Sequence, residues 1–180
     1  PITTLVLGSV YGPHSPHLDG SFAALKSALE AFMAVTEGGM GIVDVRDLAA
    51  VLVTALEPGR GARRYVVGGR FLTWERWTST LSNAVGREVP MQRMTVAEMI
   101  DLGRQFDEMR KNGPVDVPLS EEAAVIMSAG VPTDDSAAVA DLGASWRPTV
   151  DTFRDAVAWL VSEGHVPPQP GLAVTSSKGA

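Results

Sequence analysis

The run Ile2–Val10, ITTLVLGSV, constrains this chain more than any other stretch. Aliphatic and β-branched residues follow one another without alternation, and Gly12-Pro13 closes the run with a turn. Such a pattern belongs to a parallel strand buried on both faces, because an edge or half-buried strand would alternate apolar with polar. A central strand of this kind needs a neighbour on each side, and few folds begin with one. Pro1 carries neither an initiator Met nor a leader pattern. The expectation is therefore the later part of a longer α/β protein.

Composition narrows the function. The chain is 45% hydrophobic and 20% charged, as in an ordinary globule. A net charge of −6 argues against nucleic acid and anionic membranes as partners. No apolar stretch is long enough to predict a transmembrane segment. There is no cysteine, which removes disulfides, thiolate metal sites and Cys nucleophiles and fits an expected cytoplasmic location.

Beyond the opening strand, strands alternate with helices in the first third and helices dominate afterwards. Phe22, Leu25, Leu29, Phe32 and Met33 have helical spacing. Gly41–Val45 reads as a short strand, after which Asp44 or Asp47 caps a helix turning Leu48, Leu52 and Leu56 to the core. Arg64–Val67 reads as another buried strand. Thr73 opens a helix with Trp74, Trp77, Leu81 and Val85 on one stripe, and Gly86 stops it. Thr95 and Glu98 form a capping-box pattern, Ser120 caps one more helix, and the last helix carries Phe153, Val157 and Leu160. From Pro167 the composition is that of a flexible tail.

Four ordered stretches carry a resemblance: Leu5–Pro13, Ile42–Ala49, Arg64–Gly69 with Leu72-Thr73, and Asp134–Leu160 with its Leu142-Gly-x-x-Trp-Arg-Pro148. Together they resemble the C-terminal half of an extended short-chain dehydrogenase/reductase, the NAD-dependent epimerase/dehydratase family. The resemblance implies an α/β fold, the C-terminal part of a Rossmann-like parallel sheet joined to an α-rich substrate-binding lobe over residues 1–166, with a tail at 167–180. It implies NAD or NADP as cofactor of the full-length protein and a small-molecule substrate. Val6 and Leu7 stand where the family usually has Arg and Pro. The family's Gly-rich phosphate turn and catalytic Tyr-x-x-x-Lys occur nowhere in this sequence.

The resemblance places Gly8, Ser9 and Val10 against the nicotinamide end of the cofactor, and Tyr11, His14, His17 and Met40 on the substrate side. An ordinary strand end and a solvated loop remain open for the same residues. His14, His17 and Asp19 match no tight metal spacing, so no metal is expected. Asp44 and Asp47 read as cap and dipole partners before they read as an acid–base pair. Met91, Met94, Met99 and Met109 suggest an adaptable apolar pocket, hence an apolar or mixed substrate in place of a nucleotide sugar. The fragment alone is expected to be inactive. A non-catalytic dinucleotide-binding sensor or interaction module of the same fold is the alternative. Exposed strand edges also make a homodimer an expectation.

Overall fold

The opening run divides at Gly8. In the computed structural model, which describes residues 2–18, 20–59, 61–115 and 117–172, it forms β1 (Thr3–Leu7) and β2 (Ser9–Tyr11) in two different sheets. The expected single strand is corrected here, and the reason is crowding. A Cβ on Gly8 would stand 2.2 Å from the Gly68 carbonyl oxygen and 2.7 Å from that of Gly41. Three backbones meet at this point, and the chain can pass only where side chains are missing.

After β2 come α1 (Gly20–Glu30), β3 (Met33–Val35), β4 (Gly39–Asp44), α2 (Val45–Ala55), β5 (Arg63–Val67) and β6 (Arg70–Thr73). Then follow α3 (Trp74–Val85), β7 (Met91–Arg93), α4 (Val96–Arg110), α5 (Glu121–Ala129), α6 (Ser136–Leu142) and α7 (Thr149–Ser162). β1 and β5 pair in parallel, with Leu5 beside Tyr65. β2 lies parallel to β4, and β6 is antiparallel to β4 on its other side. β3 and β7 make a third, parallel pair.

The Gly8 N–H donates to the Val67 carbonyl at 2.9 Å, and Arg63 N–H to the Ile2 carbonyl at 3.2 Å. The even-numbered residues of β1 thus turn their backbone groups toward β5. By strand alternation Thr3, Leu5 and Leu7 turn theirs outward, where no strand lies among the described residues. The expected neighbour on each side is a neighbour on one.

Two cores result. Phe22 and Leu25 of α1, Trp77 and Leu81 of α3, and Phe153 and Leu160 of α7 build the larger one against β2, β3 and β4. The smaller lies beneath the β1–β5 pair, where Leu48 and Val51 of α2 and Leu142 of α6 meet Tyr65 and Val67. Caps fall where the sequence places them: Thr73 accepts from Arg76 N–H, Thr95 and Glu98 close a reciprocal capping box, and Ser120 accepts from Ala123 N–H.

Three further expectations change. α1 ends at Glu30, Phe32 is 43% exposed, and Met33 opens β3 by donating to the Pro90 carbonyl at 2.8 Å. On α2 the core contacts come from Leu48 and Val51, while Leu52 and Leu56 are 45% and 81% exposed. The segment 167–172 is packed: Gln169 and Leu172 are buried, and Gly171 N–H donates to the Val85 carbonyl at 2.7 Å. Its composition reads as tail, but a glycine at 171 lets it lie against Gly86 at the end of α3. Asp19 and residues 173–180 lie outside the described residues.

Candidate functional site

Ligands of open α/β sheets bind beyond the carboxyl ends of the strands. For β1 and β5 that point is the Gly8 crossing. Its floor is backbone: the Gly68 and Gly41 carbonyls fill the space a Cβ on Gly8 would need, the Gly68 carbonyl fills that of Gly41, and the Thr133 side chain fills that of Gly68. Asp135, just before α6, pins the crossing from the α-rich side. Its carboxylate accepts from the Gly68 N–H at 3.0 Å, the Gly69 N–H at 2.7 Å and the Thr133 hydroxyl at 3.0 Å. The preceding Asp134 takes the capping duty, accepting from Ser136 N–H at 2.9 Å.

The residues singled out by sequence do not form one cluster. The Gly8 glycine is required by the strand crossing itself. Ser9 exchanges a hydrogen bond with Ser21, Oγ to Oγ at 2.7 Å. Val10 is half-buried against the smaller core. Tyr11 is 2% exposed, its ring 5.3 Å from Phe153 and 6.4 Å from Phe22, so packing uses the ring. His14 and His17 are exposed on the loop after β2. His14 sits at φ +63 with its ring 6.5 Å from Trp159, and the Ser15 hydroxyl donates to the His17 carbonyl. Met40 is half-buried on β4 opposite Leu72. Tyr11 pairs with Asp44, four residues further along β4, so Met40 and Tyr11 stand roughly 13 Å apart along the strand. Met40 belongs with Gly8 at the crossing, and the histidines belong with the loop.

The four lobe methionines also separate. Met99 is fully buried, whereas Met91 and Met109 are about half-exposed. Met94 alone of the four lines a groove of ≈ 430 Å³, shared with Val35, Thr36, Glu37, Glu75 and Arg93. A single methionine-lined pocket is not what they build.

Asp44 and Asp47 are structural. The Asp44 side chain is wholly buried and accepts from the Arg46 N–H at 2.9 Å, Nε at 2.8 Å and Nη2 at 2.7 Å. Arg46 reaches on to Asp155 of α7 at 2.7 Å. Asp47 accepts from the Arg147 N–H and Nε, both at 2.9 Å, and from its Nη2 at 2.6 Å. Burial pushes the Asp44 carboxyl up, but the Arg46 side chain and N–H, Thr152 and the Arg46 charge together hold it below its usual value. The Asp44 hydrogen bond in turn raises Arg46, and the Asp47 hydrogen bond raises Arg147. Arg70 adds a third tie, donating through Nε and Nη2 to the Trp146 and Arg147 carbonyls. Sequence reasoning missed Arg70, Arg147 and Asp135, whose main partners are far away in sequence, and Arg46, which joins its neighbour Asp44 to the distant Asp155. Among the described residues no His/Asp/Glu group is arranged to hold a metal, and no helix is long and apolar enough to cross a membrane.

No family model and no curated protein matches the sequence. Solved structures do match. The protein in "Crystal structure of gox2253" superposes with a TM-score of 0.67 at 21% identity, covering 91% of this chain and 50% of that one. The fold is that of half of the matched chain. PA4631, a nucleoside-diphosphate-sugar epimerase from Pseudomonas aeruginosa, gives a TM-score of 0.66 at 21% identity, over 92% of this chain and 49% of its own. UDP-glucuronic acid 4-epimerase from Bacillus cereus, solved with UDP-glucuronic acid and NAD, gives 0.61 at 16% identity, over 91% and 46%. This chain thus spans about half the length of the structures it matches. These likenesses establish the expected α/β architecture.

Proposed function

We propose that this chain is the substrate-side portion of an NAD(P)-dependent oxidoreductase or epimerase-like protein, in which a hydride moves at a carbonyl or carbinol carbon. The observation that carries the reading is the superposition on half of proteins solved with bound NAD. The Gly8 crossing supports it, because it stands at the strand ends where this architecture binds ligands. NAD or NADP would supply the redox chemistry. The residues here would supply a wall: the Gly8–Val10 backbone beside the cofactor, and Met40 and the His14–His17 loop on the substrate side. Side chains of Gly8, Ser9 and Val10 are absent or engaged within the chain, so their contribution is backbone shape. A Gly-rich turn and a Tyr-x-x-x-Lys must come from a second α/β portion, for which the outward edge of β1 is the natural seat.

An apolar or mixed substrate belongs to the same reading. The set Gly8–Tyr11, His14, His17 and Met40 contains no Lys or Arg to meet a diphosphate. The arginines tied to the strand ends, Arg46, Arg70 and Arg147, already hold carboxylates or carbonyls. Self-association is part of this reading too.

Calorimetric titration of the chain with NAD(H) and NADP(H) should show no binding, and micromolar binding would overturn the division of labour. A chimera joining residues 2–172 to the half of PA4631 that this chain does not match should bind NAD. If the folded chimera ignores NAD, the cofactor reading is wrong.

A further inference from the structure

α4 and α5 form an arm that is tied mostly to itself. A Cβ on Gly103 would stand 2.5 Å from the Ser120 carbonyl oxygen, and Asp107 accepts from the Glu121 N–H at 2.9 Å. Arg104 pairs with Glu121 at 2.8 Å, and Arg110 donates to the Leu119 carbonyl at 2.8 Å. Among the described residues no hydrogen bond or ion pair joins residues 95–126 to the rest of the molecule, and no α4 residue belongs to either core. The groove of ≈ 430 Å³ lies where this arm meets the body. The arm contributes Thr95, Val96 and Glu98, and the body contributes Val35, Thr36 and Glu37. Seams between packed units are where ligand pockets form, and this seam also lies at the carboxyl ends of the parallel pair β3–β7.

We propose that this groove binds a small organic cation: an ammonium on a short apolar body that also carries a hydroxyl or carbonyl oxygen. Thr36 asks for the oxygen. It lines the groove at 8% exposure, takes a 3.4 Å bond from the Gly38 N–H, and gives its own hydroxyl proton to no described acceptor. A buried donor of this kind calls for an acceptor. Val35, 2% exposed, supplies apolar surface together with Met94 and Val96. Charge sets the sign of the ligand. Arg93 is paired with Glu75, and Glu98 accepts from the Thr95 N–H and hydroxyl, both at 2.8 Å, while Glu37 has no partner among the described residues. α3 and α4 both start here, but Glu75 and Glu98 in their first turns already meet the positive ends of those helices, so an anion would face carboxylates. Among the described residues no carboxylate group is arranged to hold a metal, which leaves an organic cation. Glu37 precedes Gly41 by four residues, about 13 Å of extended chain. The groove is thus separate from the Gly8 crossing, and it stands or falls apart from the cofactor reading.

NMR titration of the isotope-labelled full chain with aminohexanol, which carries its amine and hydroxyl at opposite ends, tests this. Saturable shifts are expected at the amides of Thr36, Glu37, Glu75 and Val96. Hydroxyhexanoate, with a carboxylate in place of the ammonium, should give none. Glu37→Gln should weaken aminohexanol and hexylamine alike, by about two- to fivefold. Thr36→Val keeps the side-chain shape and should weaken aminohexanol by about two- to tenfold while leaving hexylamine, which has no oxygen, unchanged. Glu163→Gln, just after α7, removes the same charge elsewhere and should change neither. Equal binding of hydroxyhexanoate, shifts scattered over the acidic surface, or no saturable shift at all overturns the proposal. So does a loss in Glu163→Gln equal to that in Glu37→Gln, or a Thr36→Val variant that treats the two amines alike.

Discussion

Asp44 shows how one residue can look catalytic and be architectural. Its carboxylate is wholly buried and takes three hydrogen bonds from Arg46. Asp44→Ala leaves the Arg46 guanidinium without its main partner and opens the N-terminus of α2. The expected loss is about 3 kcal/mol in urea unfolding. The pH dependence follows from the sign of the shift. The folded-state pKa lies below the ordinary carboxyl value of 3.8, so Asp44 stabilises the fold above that value. That contribution disappears as the pH falls from near 3.8 toward the lower folded value. Asp44→Asn should therefore flatten the acid side of the stability–pH curve, and an unchanged slope would place the titrating group elsewhere. Gly8 makes a second residue-scale prediction. Gly8→Ala drives a Cβ into two carbonyl oxygens and should cost more than about 3 kcal/mol, while Gly113→Ala, with open space around it, should change the midpoint little. The capping role of Asp44 was legible in the sequence because a cap is local. The Arg147–Asp47 clamp was not, since it joins residues a hundred positions apart and depends on how the α6–α7 connection folds back.

At the scale of elements, local chemistry was read well and pairing poorly. Thr73, Thr95 and Ser120 start helices as their side chains dictate, because an N-cap is satisfied within three residues. The opening run defeated the same approach: nothing in ITTLVLGSV says that Gly41 and Gly68 will press on Gly8. Periodicity also misjudged α2, where leucine at helical spacing suggested a core face that turned out to be Leu48 and Val51. β1 supplies a test of the pairing deduced here. Val6 N–H points at β5 and Leu5 N–H points outward, so proline should be unequal at the two positions. Val6→Pro breaks the ladder with β5, and Leu5→Pro removes a donor that no described strand accepts. Thermal unfolding should place Val6→Pro about 1–2 kcal/mol below Leu5→Pro. Equal losses would mean the outward edge of β1 is paired after all.

Across the whole molecule, the two cores are tied together by backbone crossings and charge clamps, and the larger core is completed by its last described residues. Leu172 is 8% exposed and belongs to that core with Val85 and Val166. Gln169 is 5% exposed; its oxygen accepts from Arg87 Nε at 2.8 Å, and its amide donates to the Pro167 carbonyl at 2.8 Å. Arg87 in turn donates to the Leu29 carbonyl at the end of α1. The segment after Val166 therefore links the ends of α1 and α3 through one arginine. Composition hid this, since Pro, Gly and Gln predict a tail and only the Gly86–Gly171 approach shows why they pack. A chain ending at Val166 loses the burial of Leu172, the Gln169–Arg87 bond and the Gly171–Val85 bond. Compared with a chain ending at Leu172, it should be less stable by about 2–4 kcal/mol. Amides in the last turn of α3 should exchange faster in the shorter chain, because the Val85 carbonyl loses the Gly171 N–H and the Arg87 guanidinium loses Gln169, keeping only the Leu29 and Glu88 carbonyls. Equal midpoints for the two chains would show that residues 167–172 add nothing to the core and that the domain closes at the end of α7.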